Sequence, residues 1–338
     1  MDRQHDDRSR SLAPTRSGTF PVGQPRLPTA GVDYPRSEQE FARLFGSEAA
    51  CQQAVERLRW PRGWICPHCG SAGAPFRAGR LLGCSACGRV SAITSNTALR
   101  GTITPLQQWF RALWEVASHE SGTNPAAIQR ALGLPNEHGA WEILARVRSG
   151  ICAATRDRLR GEVEIARCLI EVEPGGTTGR TEGSPLVVVV AAQRCSGRLG
   201  RVRLRILAPL SSRAMLEFVT DSVAPGTTIL TGGWPGYASL AAAGYRHERT
   251  TRPTDGTGHE RALPEAQHVA DVLRLWIWGT RVVTRERLAH YLDEFVFRFE
   301  RRGCAPGLLF YHLLRAAIPI ERRAPAAAPE PTRQAATG

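Results

Sequence analysis

The sequence predicts an α+β protein of several domains, and three observations carry that expectation. Two C-x-x-C pairs lie close together between residues 66 and 87, a block of helix-period apolar residues follows, and beyond residue 161 strand-like runs give way to alternating helices and strands. At 338 residues the chain is long enough for two or three separate cores.

The cysteines come first because their spacing is the sharpest feature. Cys66 and Cys69 form one pair, Cys84 and Cys87 the other, and Gly70 and Gly88 follow the two pairs. Four thiolates at this separation suit a tetrahedral structural zinc site, a zinc ribbon, and glycine lets each knuckle turn with φ > 0. Two disulfides are the competing reading. Against them stand an odd total of nine cysteines and an N-terminal stretch without the apolar core of a secretory signal. His68, inside the first knuckle, reads as a loop residue, and Cys51 as a small core residue. From Arg57 to Arg100 there are seven arginines and no acid, which makes the ribbon a cationic knob suited to a polyanion.

Overall charge points the same way. A formal net charge of +13 and a pI near 10.2 suggest nucleic acid or an anionic membrane surface. The longest apolar run, Leu186 to Ala192, is far short of the roughly 20 residues that span a bilayer. All 44 basic residues are arginine, which fits either a GC-rich genome or a preference for the bidentate phosphate fork.

Residues 1–36, rich in Pro, Ser, Gly and Arg, read as a disordered tail. Residues 37–100 combine a helical lead-in with the ribbon. Ser37 and Ser47 are N-cap candidates, Glu40 completes a capping box on the first, and Phe41, Leu44 and Phe45 share a face. Residues 101–160 hold three helices. Thr104-Pro105 opens one, with Leu106, Trp109, Phe110, Leu113 and Trp114 at helical spacing; Asn124-Pro125 opens the second, which Gly133 ends; Asn136 opens the third, with Arg146 and Arg148 outward. The G-L-P-N link makes the second and third helices a helix-turn-helix candidate whose later helix would enter the major groove, or else a plain helical connector.

Residues 161–303 change character. Strands are expected at Glu162 to Val172, Leu186 to Gln193 and Arg201 to Leu207, then a helix at Ala214 to Val223, a strand at Thr228 to Thr231, a helix near Tyr237 to Ala243, a short strand near Tyr245, and helices near 265–280 and 285–302. This order matches an RNase H-like layered domain with a mixed sheet. Arg201, Arg203 and Arg205 form a stripe on one strand face, either a DNA contact or an ordinary solvated surface. Residues 304–338 read as a C-terminal helix and a second tail, Ala- and Pro-rich from 322.

The motifs R-W-P-R-G-W-I-C-P-H-C-G at 59–70, the second knuckle, G-E-V-E-I at 161–165, G-W-P-G-Y at 233–237, W-I-W-G-T at 276–280 and Y-L-D-E-F-V-F-R-F-E-R-R at 291–302 stand in an order that resembles bacterial insertion-sequence transposases with an N-terminal zinc ribbon and an RNase H-like DDE domain. The resemblance covers roughly residues 38–303. It implies DNA strand chemistry with Mg²⁺ held by acidic residues, at a cytoplasmic, nucleoid-associated location. The chain departs from that pattern at the decisive places: Ala166 and Arg167 stand where G-E-V-E-V-D-E has acids, Gly232 where T-D-G-W-x-G-Y has its aspartate, and Val272 and Arg274 where the pattern has a polar residue and a lysine before W-x-x-G-T. Glu164 and Asp271 are the nearby acids that could substitute. The expectation is a zinc-bearing protein of this family that binds double-stranded DNA through Arg80, Arg89, Arg146, Arg148, Arg201 and Arg203, with no catalytic residue assigned, Mg²⁺ in doubt and self-association left open. Its rivals are an active transposase with displaced ligands and a zinc-ribbon scaffold for RNA or protein.

Overall fold

The computed structural model describes residues 27–119, 122–154, 157–172, 185–195, 197–250, 263–279 and 283–319. The expected tails up to residue 26 and from residue 320, the turn segment 173–184 and Thr280 lie outside the described residues. Residues 27–36, expected within the N-terminal tail, form a tight turn instead. Asp33 Oδ2 accepts from the Thr29 amide at 2.7 Å, the Gly31 amide donates to the Tyr34 carbonyl at 2.7 Å, and the Tyr34 ring lies 6.3 Å from Tyr311. Side-chain to backbone bonds and a ring from the far end of the chain supply the order that the polar composition concealed.

Ser37 and Ser47 cap α1 (Glu38–Phe45) and α2 (Glu48–Arg59), accepting from the amides of Glu40 and Ala50. The expected capping box closes one residue early, because the Glu40 carboxylate accepts from the Arg36 amide at 2.9 Å rather than from Ser37. Three short antiparallel strands, β1 (Phe76–Ala78), β2 (Leu81–Gly83) and β3 (Val90–Ala92), make the ribbon. The helices α3 (Leu106–Ser118), α4 (Pro125–Leu132) and α5 (Glu137–Ala154) follow, with Asn124 capping α4 and Gly133 ending it at φ 62°.

These helices share a core with α10 (Pro306–Ala317), which comes from the other end of the chain. Phe310 of α10 sits 5.8 Å from Phe41, 5.5 Å from Phe45 and 5.7 Å from Trp114, ring centre to ring centre. The C-terminal helix is therefore an interior element of the first core. An apolar helix advertises that it is buried but not against what.

The second half is a five-stranded sheet in the order β6-β5-β4-β7-β8, from β4 (Glu162–Ile170), β5 (Leu186–Cys195), β6 (Arg198–Ile206), β7 (Thr228–Thr231) and β8 (Arg246–Arg249). β4, β5 and β6 are antiparallel neighbours, while β7 and β8 run parallel to β4, the mixed arrangement expected of an RNase H-like domain. β5 is buried on both sides: Val188, Val190 and Ala192 face α8 (Pro264–Gly279) and α9 (Arg285–Glu300), while Val189 and Ala191 face α6 (Ser212–Ser222). None of the described helices is long and apolar enough to cross a membrane.

The two halves are joined through α5, and the helix-turn-helix expectation meets its obstacle there. Arg148, expected outward, is 1% exposed. Its Nη2 lies 2.9 Å from Glu294 Oε2 on α9, and its guanidinium stacks 4.2 Å over the Tyr291 ring. Arg298 donates to the other Glu294 oxygen at 3.0 Å and also reaches the carbonyls of Val116 and His119 at the end of α3. The would-be recognition helix is packed against α4, α9 and α10, and its exposed N-terminal turns carry Glu137 and Glu142, which repel phosphate. Helical periodicity marks only one side of α5 as buried, and a second wall supplied by α9 cannot be read from that period.

Burial raises the Glu294 pKa, but Arg148 and Arg298 outweigh it and hold the carboxyl below its ordinary value. Because the folded pKa is depressed, the stabilisation is present above the unfolded pKa of about 4.3 and fades as pH falls through the lower folded value. Glu294→Ala, which leaves Arg148 buried without its counter-charge, is expected to lower stability by about 3–5 kcal/mol. Denaturant unfolding of wild type and variant checks this, and the gap between them should narrow in acid.

Candidate functional site

The Sγ atoms of Cys66, Cys69, Cys84 and Cys87 all lie within 4.8 Å of one another. Four sulfurs placed tetrahedrally about 2.3 Å from one zinc ion are about 3.8 Å apart. The observed separations are 3.8 Å for Cys66–Cys87 and 3.7 Å for Cys69–Cys84, too long for a disulfide bond of about 2.05 Å. Gly70 and Gly88 stand at φ 71° and 70° and return their amides to the Cys66 and Cys84 carbonyls, the role expected of them. Burial opposes ionisation of Cys84, yet the amides of Cys87 and Ala86 and the neighbouring sulfurs draw it down to about 7. For Cys69 the Ser71 amide favours the thiolate, but desolvation and three sulfur neighbours hold it up at about 12. Crowded thiols of this kind ionise together once a cation supplies the opposing charge.

The second region is the place on the large sheet where the parallel pairing of β4, β7 and β8 stops, at Ile165, Thr231 and Arg249, with β4 itself running on to Ile170. Thr231 pairs with Ile165 on one side and with Arg249 on the other, so Ala166 and Gly232, one residue further along, adjoin. Ala166 is buried among residues of α8, and Val272 of α8 packs against the same cluster. Glu164, two residues before Ala166 on the same face, is fully buried. Its Oε2 accepts from the amides of Glu265 and Ala266 at 2.8 and 2.9 Å, the first turn of α8, while Oε1 faces Arg194 Nε at 3.7 Å. Burial pushes the Glu164 carboxyl up, with the two amides and Arg194 pulling the other way. Asp271 is bound to Arg274 at 2.7 Å and to Gln267 at 2.9 Å.

Comparison with known families finds two matches in chain order. Residues 46–90 match the transposase zinc-ribbon domain, and residues 158–300 match the ISXO2-like transposase domain. The chain belongs to the insertion-sequence transposases. No curated protein matches it. The first family match brackets the thiolate cluster and the second brackets the five-stranded sheet, so both assignments coincide with the geometry.

For an insertion-sequence transposase, the sheet edge does not fit the divalent ions that the family implies. Mg²⁺ needs several hard oxygen ligands in near-octahedral array. Alanine, glycine and valine at 166, 232 and 272 supply no side-chain oxygen, Glu164 is engaged as a helix cap, and Asp271 is engaged with arginine. Among the described residues, the clusters able to hold a metal reduce to the four cysteines.

The expected DNA contacts fare unevenly. Arg148 is a correction: it is buried in the ion pair with Glu294 and does not reach solvent. Arg80 is bound to Glu48 at 2.8 Å, Arg203 to Glu300 at 2.7 Å with 11% of its side chain exposed, and Arg201 donates to Gln193 and to the Arg158 carbonyl. With Arg205 on Asp221, the expected stripe on β6 is a set of partnered side chains rather than an open cationic face. Arg146 is partly exposed and donates to the Arg100 carbonyl at 2.7 Å. Arg89 is exposed. The ribbon knob is thinner than its sequence, since Arg59 is buried and Arg77 is paired with Glu56. Arg57, Arg62, Arg89 and Arg100 remain exposed there without an acidic partner among the described residues. Acids distant in sequence, such as Glu48, Glu56 and Glu300, do the neutralising. Arg167 stands over the Trp234 ring and Arg249 donates to the neighbouring Gly233 carbonyl; the motifs mark Arg167 as a departure and Trp234 within G-W-P-G-Y, but nothing in them marks Arg249.

Two outcomes are expected. Purified protein should carry one zinc per chain. Cys66→Ser should lose it and expose residues 64–92 to hydrogen exchange, while the core around Phe310 stays protected. Separately, Glu164→Ala should cost about 1–2 kcal/mol through loss of the α8 cap, whereas Glu164→Gln, which keeps an acceptor oxygen, should cost far less. Because the folded pKa of Glu164 is raised, its ionisation opposes folding as pH climbs above the unfolded value of about 4.3, so Glu164→Gln should gain on wild type as pH rises from about 4 through the higher folded value. Thermal unfolding across that range reads the difference.

Proposed function

We propose that the protein binds double-stranded DNA in the manner of its family and has lost the metal-dependent strand chemistry. The observation that carries this reading is the commitment of Glu164, the carboxylate facing position 166 on β4, to the backbone of α8. Two-metal catalysis needs carboxylates from separate elements converging on ions about 3.5–4 Å apart; among the described residues, positions 166, 232 and 272 supply none and Glu164 is taken up by α8. DNA binding is supported by the family, by the net charge of +13 and by the unpartnered arginines of the ribbon. Mg²⁺ has no part in this reading, self-association is left to the test, and the protein works at the bacterial nucleoid in the cytoplasm.

Linear duplexes carrying candidate transposon ends, incubated with Mg²⁺ or Mn²⁺, test the proposal. The natural protein is expected to retard the duplex in a salt-dependent way and to neither cut nor join strands. A variant with Ala166→Asp, Gly232→Asp and Val272→Glu should recover weak cleavage at best, because Arg167 and Arg274 stand beside the restored acids. Metal-dependent cleavage by the natural protein, abolished by Glu164→Gln, would mean that the enzyme is alive. Tighter binding to RNA than to duplex DNA would favour the scaffold reading instead.

A further inference from the structure

β7 and β8 end side by side at Thr231 and Arg249, next to Ile165 of the longer β4, and the C-terminal ends of parallel strands are where open α/β sheets place their ligands. Two arginines converge there on consecutive residues of one loop. The Arg167 guanidinium lies 4.8 Å from the Trp234 ring centre, and Arg249 Nη2 donates to the Gly233 carbonyl at 3.3 Å. Both side chains are exposed, and neither has a carboxylate partner among the described residues. Other arginines of this sheet are neutralised, Arg194 by Glu162, Arg203 by Glu300 and Arg205 by Asp221, while Arg198 and Arg246 share the lack of an acidic partner among the described residues. The loop itself is held firmly. A Cβ on Gly236 would collide with the Trp234 ring, so the indole is seated on that backbone on one side, and it meets Tyr237 edge to face at 5.2 Å. Thr231 Oγ1 and His247 Nε2 stand 2.8 Å apart beneath, and burial, helped by Arg249, keeps His247 below its ordinary pKa.

We propose that Arg167 and Arg249, positioned by Trp234 and the Gly233 carbonyl, form a metal-independent clamp for a nucleic-acid backbone phosphate at the C-terminal edge of the sheet. The chemistry follows from the parts. Each guanidinium spends one face or one N–H on the loop and keeps other donors for the planar, bidentate recognition of phosphate oxygens. The cation–π contact with Trp234 fixes Arg167 without cancelling its charge, unlike a carboxylate. Where divalent cations would bridge protein acids to phosphate, this chain meets the anion with cations of its own. The inference rests on the proposed DNA binding and assigns one contact within it.

The full chain with zinc bound should be titrated with a labelled duplex and with a single strand over a range of salt, in Mg²⁺ and in EDTA. Arg167→Ala and Arg249→Ala should each weaken binding roughly tenfold, and the double variant should flatten the slope of log affinity against log salt by about 2. Arg167→Lys should restore part of the slope, and Trp234→Leu should weaken binding with the charge unchanged. Thermal unfolding serves as the control for the fold. Binding should be the same with Mg²⁺ and EDTA, and inorganic phosphate at millimolar levels should compete poorly. Unchanged affinity and slope in the double variant, with wild type binding normally, would overturn the clamp alone. Absence of binding by wild type would overturn the DNA reading and the clamp with it. A need for Mg²⁺, or full displacement by inorganic phosphate, would also remove the clamp in favour of a metal bridge or a small-anion site.

Discussion

The buried triad of Arg148, Glu294 and Arg298 is the constraint on which the rest of the architecture depends. One carboxylate receives two guanidiniums, one from the helical half and one from its own helix. Arg298 then reaches the last carbonyls of α3, and Arg148 approaches the Thr123 carbonyl at 3.4 Å. The network fixes the angle at which the zinc-bearing half meets the sheet. An ion pair without solvent is rarely a net gain over apolar packing, but removal of one member is costly, so it discriminates sharply against other dockings of the two halves. The same triad removes α5 from the surface and with it the simplest picture of a groove-reading helix.

Charge in this chain is accordingly spent in two ways. A large share of its arginines act as internal fasteners: Arg59 on the Ile93 carbonyl, Arg302 on the Leu199 and Phe299 carbonyls, Arg301 on Phe297, Arg315 on Leu58. Guanidinium suits this work because its fixed fork satisfies several carbonyls at helix ends while its stem packs as an apolar surface. What remains exposed without an acidic partner among the described residues is a smaller set, which includes Arg57, Arg62, Arg89 and Arg100 on the ribbon side and Arg167 and Arg249 on the sheet. Net charge overstates the open cationic surface.

The sheet edge keeps its fold with apolar residues and glycine at the positions where the chain departs from the family pattern. Ala166, Gly232 and Val272 bring no like charges together at this spot, so no repulsion has to be offset there. Ala166 and Val272 simply join the apolar cluster beneath α8. Glu164 has a structural role, since it accepts from the first amides of α8, which would otherwise lack that acceptor.

Local features were legible in the sequence where one or two residues decide a backbone state. The zinc knuckles followed from the C-x-x-C-G spacing, the caps from Ser37, Ser47 and Asn124, and the strands β4, β5 and β7 from runs of apolar residues bounded by turn residues. The family, too, stood in the order of six motifs, and those motifs by themselves exposed Ala166, Gly232 and Val272 as the places where acids are missing. Tertiary structure alone decided what each charge and each apolar face meets. Arg148 looked like a surface residue because the wall that buries it lies 146 positions away. Arg203 and Arg80 looked free because Glu300 and Glu48 are brought to them only by folding, and α10 looked like an appendage because nothing local says that Phe310 completes a core begun at Phe41. Periodicity records that a side chain is buried or charged; the partner that satisfies it is a property of three-dimensional proximity, which no window along the chain contains.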